Sequence, residues 1–88
     1  MESRRVKVYF YRPTAEPRDC ATIAYDADGN QLFGHISSSL EWARGDMALN
    51  PLPKGTEVVW VIGPEAMQAL IKTGEIKNLT FNLGGEKV

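Results

Sequence analysis

Thr56-Glu57-Val58-Val59-Trp60-Val61-Ile62-Gly63-Pro64-Glu65-Ala66-Met67-Gln68-Ala69-Leu70-Ile71-Lys72-Thr73-Gly74, continued by Lys77-Asn78-Leu79-Thr80-Phe81-Asn82-Leu83, decides the fold. Four β-branched residues surround Trp60, which suits a pleated, buried strand. The apolar run is nearly continuous, so a central strand covered on both faces is expected over 56–62. Pro64 lacks an amide hydrogen and fits the first helical turn. Glu65 follows where the helix dipole favours negative charge. Ala66, Met67, Leu70 and Ile71 recur at helical spacing, and Gly74 is placed for a left-handed end. Leu79, Phe81 and Leu83 alternate with polar residues, predicting a last strand over 77–83. A strand-helix-strand unit of this length can form a parallel, right-handed crossover.

Upstream, Val6, Val8 and Phe10 alternate with Lys7, Tyr9 and Tyr11, predicting a first strand with one apolar and one basic-aromatic face. Pro13 and Pro17 bracket a turn-rich loop. Strands are expected over Cys20–Tyr25 and Gln31–Ile36, joined by Asp26-Ala27-Asp28-Gly29-Asn30 with Asp28-Gly29 as a two-residue turn. That turn pairs Tyr25 with Leu32, Ile23 with Gly34, Thr22 with His35 and Ala21 with Ile36. A longer loop would instead put Tyr25 opposite Gln31 and Ile23 opposite Phe33, mixing the two faces. Ser37 to Ser39 open a second helix, where Ser38 and Glu41 have capping-box spacing and Gly45 predicts a short or kinked segment. Asn50 to Gly55 form a proline-rich connector. The expected fold is α+β: a mainly antiparallel sheet of about five strands with two helices on one face, in the order β-β-β-α-β-α-β.

The 88 residues make one compact domain, and the net charge of −1 provides no general field for nucleic acid or anionic membrane. No run is long enough to span a bilayer, and no signal-peptide pattern opens the chain. One cysteine and one histidine exclude an internal disulfide and the common cysteine- or histidine-rich metal sites. No glycine-rich phosphate loop is present, so no cofactor is expected. These features favour a cytoplasmic setting.

Short motif matches carry little. Asp26-x-Asp28-x-Asn30 starts like a calcium loop, but Gln31 and Ser37 stand where glycine and glutamate are needed, which favours a plain hairpin turn. Arg44-Gly45-Asp46 falls within an expected helix, and Asn78-Leu79-Thr80 is a glycosylation sequon with meaning only in a secreted chain. Cys20 and His35 fall on one hairpin face, but no third group is placed to orient the imidazole.

Two functions follow from what remains. The first is a non-enzymatic module that binds an unidentified protein partner through Trp42, Arg44 and Met47, since tryptophan and arginine dominate interface hot spots. Small chains of this kind are common among phage and mobile-element accessory proteins. The alternative is single-stranded nucleic acid binding through Arg5, Lys7, Tyr9 and Tyr11. Cations there would hold the backbone and rings would stack bases. Five basic and two acidic residues through Arg18 skew charge toward that end. An exposed edge strand would also offer a route to homodimers.

Overall fold

The computed structural model describes residues 6–48 and 52–79. Four strands form one mixed sheet: β1 (Val6–Arg12), β2 (Cys20–Asp26), β3 (Gln31–Ser38) and β4 (Thr56–Ile62), in the order β3-β2-β1-β4. β2 is antiparallel to both β1 and β3, whereas β4 runs parallel to β1 along its whole length, from Val6 opposite Thr56 to Arg12 opposite Ile62. The class is α+β as expected, but among the described residues the sheet has four strands and one parallel pair. Lys77, Asn78 and Leu79 of the expected fifth strand are not in strand conformation, and 80–83 lie outside the described residues.

The apolar run of β4 does not make it the central strand. Among the described strands β4 lies at an edge, and β1 lies inside. Alternation explains why. Val8 and Phe10 face one cluster with Ala24, Ala43 and Met47, while Tyr9 and Tyr11 face a second with Val61, Met67 and Ile76. The residues expected to line an open face of β1 are thus core on its second side. On β4 only Val61 is fully buried; Val58 and Trp60 pack partly exposed on the first cluster and Val59 on the second.

The helices therefore sit on opposite faces of the sheet, not on one. α1 (Leu40–Trp42) continues as a π-helical segment, Ala43–Met47, and covers the Phe10 face. The Ala48 amide donates to the Ala43 carbonyl five residues back. Gly45 lies in this widened turn, as its helix-weakening character would favour. α2 (Pro64–Thr73) covers the Tyr9 face, with Pro64 in its first turn and Met67 fully buried. Gly74, left-handed, closes the helix by donating to the Ile71 carbonyl, and Glu75 donates to Leu70. The chain then returns across the second cluster, burying Ile76, and the Lys77 amide donates to the Ala27 carbonyl at 2.9 Å.

That return meets the β2–β3 hairpin at its tip. Gly29 donates to the Asp26 carbonyl and adopts φ +88°, so the tip is a three-residue loop ending in a left-handed glycine rather than a two-residue turn. Thr22 opposite His35 and Ile23 opposite Gly34 are in the expected register. A shift between Ala24 and Tyr25 then places Tyr25 opposite Gln31. The extra loop residue is absorbed as a bulge, which keeps the faces unmixed farther along.

Gly29 is constrained twice, because a Cβ there would also run into the Lys77 carbonyl and the Leu79 side chain. Gly55 shares its φ of +88° but has open space around it. Gly55→Ala should cost about 1 kcal/mol from backbone strain alone. Gly29→Ala should cost about 2–3 kcal/mol, the excess measuring the docking of the returning chain. Urea unfolding of the two variants checks the difference.

Candidate interaction surface

Arg12, the last residue of β1, sets the geometry at one end of the sheet. It is 0 % exposed and has no carboxylate beside it among the described groups. Its guanidinium is satisfied by neutral oxygens instead. Nη1 donates to Thr22 Oγ1 and the Ser38 carbonyl, each at 2.9 Å. Nη2 donates to the Arg18 carbonyl at 2.9 Å and the Glu16 carbonyl at 3.2 Å, and Nε to the Thr14 carbonyl at 3.3 Å. Thr22 and Ser38 hydroxyls are also within 2.9 Å of each other. One side chain thereby ties β1 to β2, to the end of β3 and to the loop between Arg12 and Cys20.

Because Ser38 is buried in this network, it belongs to β3 and does not cap the helix. Ser39 does: its Oγ accepts from the Trp42 amide at 3.1 Å. The expected capping box was one residue early, and the arginine is the reason. The serine run also reaches the loop, where Ser37 Oγ donates to Asp19 Oδ2 at 3.2 Å.

These ties shape an open groove of about 320 Å³ lined by Asp19, His35, Ser37, Ser38, Ser39 and Trp42. Trp42 is 41 % exposed, and its ring lies 4.7 Å from that of His35, tilted by 47°. The groove offers hydroxyls, a carboxylate and an imidazole beside one broad aromatic surface. Such a surface can seat a side chain or a short extended segment.

The three residues expected to form one protein-binding patch are separated. Met47 is buried in the core against Phe10. Arg44 is exposed and lies over the Trp60 ring, 5.5 Å from its centroid, on the β4 side. Trp42 lies over His35 on the β3 side. β3 and β4 are opposite edges of a four-stranded sheet, about 14 Å apart at normal strand spacing. The helical segment spans the sheet, with Trp42 and Arg44 at its two sides and Met47 beneath.

The basic-aromatic strand face fares differently. Tyr9 is 1 % exposed, Tyr11 is also buried, and both lie in the α2-side core. Their rings have no free face on which a base could stack. Lys7 is exposed and pairs with Glu75 at 3.5 Å, and Arg5 lies outside the described residues. A register shift carries Cys20 opposite Ser38, one position beyond the Ser37 that a two-residue turn would place there. Asp26 is committed to its turn: Oδ1 accepts from the Asp28 and Asn30 amides at 3.0 and 2.8 Å, and Oδ2 from the Asn30 side chain. Partial burial works against its ionised form, but these donors hold the carboxyl below its usual range.

Among the described residues, no group of three or more His, Cys, Asp or Glu side chains is placed to hold a metal ion. No described helix is long and apolar enough to cross a membrane. No family model, curated protein or solved structure matches the chain.

The groove was missed in the sequence because Asp19, His35 and the serines meet only through the bulged β2–β3 pairing. The available signal was Ser37-Ser38-Ser39 directly before a tryptophan-bearing helix, which could serve as strand end, buried acceptor and cap in turn.

Replacing Arg12 by methionine should strand several buried acceptors and lower stability by at least about 3 kcal/mol. Ser38→Ala, which leaves the carbonyl partners in place, should cost about 1 kcal/mol; chemical denaturation separates the two. A second expectation concerns alkaline pH. Burial, followed by the nearby Glu75 carboxylate, raises the Tyr9 phenol from 10.0 to about 12, and its hydroxyl donates to Glu75 Oε2 at 3.2 Å. Folding favours the neutral phenol, so this contribution is complete below pH 10 and is lost as pH rises from 10 toward about 12. The thermal midpoint should fall across that interval, and Tyr9→Phe should flatten the fall.

Proposed function

We propose that this chain is a small non-enzymatic protein-interaction module whose contact surface is centred on Trp42. The observation that carries this reading is the exposed Trp42 ring, held against His35 at the rim of the Asp19–Ser39 groove. Both sides of its setting are tied by hydrogen bonds. The Ser39 cap fixes the start of the helix, and the Arg12 network fixes the strand from which it springs. An aromatic anchor held in this way loses little conformational entropy when a partner covers it. Tryptophan is also the residue type most enriched among binding hot spots. Arg44 contributes at a separate point, since its guanidinium is already stacked on Trp60.

Single-stranded nucleic acid binding through β1 has no comparable support, because its proposed stacking rings are core residues.

The test is capture of proteins by the immobilised chain with nuclease present, repeated with Trp42→Ala and with Lys72→Ala on the exposed side of α2. Trp42→Ala should weaken binding of a specific protein by roughly tenfold or more, with an unchanged circular dichroism spectrum. Lys72→Ala should bind as the parent does. Equal capture by all three proteins, or capture abolished by nuclease, would remove the reading.

A further inference from the structure

The groove beside Trp42 holds one charge that no described residue neutralises. Asp19 is exposed, and its Oδ2 accepts from the Ser37 hydroxyl at 3.2 Å. Among the described residues its Oδ1 has no hydrogen bond and the carboxylate has no ion pair. Arg18, next to it in the chain, is turned to Glu16 Oε1 at 3.2 Å. The hydroxyls of the groove are already used. Ser37 donates to Asp19, Ser38 is buried against Thr22, and Ser39 accepts from the Trp42 amide. The His35 ring backs the indole at 4.7 Å. What remains for a ligand is a carboxylate oxygen, the imidazole edge and the exposed part of the Trp42 ring.

We infer that this groove seats an arginine side chain of the partner protein, its guanidinium stacked on Trp42 and donating to Asp19. This names the partner chemistry of the Trp42 surface and rests on that reading. Charge selects the sign. An acidic side chain would meet Asp19 as a like charge, and a neutral apolar one would cover the carboxylate without pairing it. Glu41, beside Trp42 in the helix, is exposed and adds a second negative charge. Shape selects arginine over lysine. A planar guanidinium can lie on a ring and still direct N–H donors to a carboxylate at its edge, whereas an ammonium is a compact, strongly hydrated point charge. The chain makes the same kind of stack within itself, where Arg44 lies 5.5 Å over Trp60. The seat is also held ready. Arg12 Nη2 holds the Arg18 carbonyl directly before Asp19, Arg12 Nη1 holds the Ser38 carbonyl, and Ser37 orients the carboxylate. Residues 1–5 and 80–88 join the described chain at Val6 and Leu79, at the hairpin-tip end of the sheet, away from Arg12 and the groove.

The probe is the peptide acetyl-Gly-Gly-Arg-Gly-Gly-amide, titrated to about 10 mM into the isotope-labelled full chain and followed by amide and indole NMR. The Trp42 indole N–H and the Asp19 and His35 amides should shift together and saturate. The same peptide with citrulline, which keeps the shape and loses the charge, should bind roughly threefold or more weakly, and one with glutamate should not bind. Asp19→Asn keeps an oxygen for Ser37 and should weaken the arginine peptide by roughly threefold or more; Trp42→Ala should do so by roughly fivefold or more. Both side chains are exposed, and the amide spectrum of each variant checks its fold. Absence of a saturable shift overturns the inference. So does equal binding of the citrulline peptide, or binding unchanged by Asp19→Asn. Failure of the arginine seat is distinguishable from failure of the Trp42 reading. A protein captured by the parent, lost with Trp42→Ala and fully retained with Asp19→Asn would keep that reading and overturn this one.

Discussion

The structure depends on a buried charge that has no opposite charge beside it among the described residues. Removing a guanidinium from water is expensive, and burial normally requires a carboxylate or a dense set of acceptors. Arg12 takes the second course. Three loop carbonyls, the carbonyl of Ser38 and the hydroxyl of Thr22 converge on it. Carbonyls are fixed to the backbone, so the network can be satisfied only if the loop after β1 and the end of β3 adopt one arrangement. That arrangement sets where β3 ends, which serine caps α1, and hence where Trp42 is displayed.

A second constraint is carried by one strand. Among the described strands β1 is the one buried on both faces from Val8 to Arg12. Its two clusters are built from alternate residues of the same strand, so a change in β1 is felt on both sides. The α2 side adds polar control over this packing. Tyr9, at the centre of that cluster, reaches Glu75 beyond the helix, and Lys7 pairs with the same carboxylate. The chain leaving α2 is thereby held across the sheet to the hairpin tip, where Gly29 leaves room for it.

Placing the core on β1 leaves the chemistry at the margins. Trp42 and the groove sit beside β3, and Arg44 sits above β4.

The local elements were legible in the residues themselves. Gly63-Pro64 and Gly74 bound α2 because proline and glycine act through their own backbone limits, whatever surrounds them. The β-branched run made β4, and Asp26 to Asn30 made a hairpin, for equally local reasons. Strand rank was not local. An apolar run states that a strand can be buried, but not which strand will be, and Tyr9 and Tyr11 looked like a surface because tyrosine suits either side of the boundary. Arg12 is the sharpest case: its charge argued for solvent, and only a loop and two other strands arriving together could supply its acceptors. The sequence by itself determined the kinds of element and their order. The tertiary structure alone decided which strand became the core, which serine became the cap and which aromatic remained outside, because each choice turns on acceptors and apolar partners brought from distant parts of the chain.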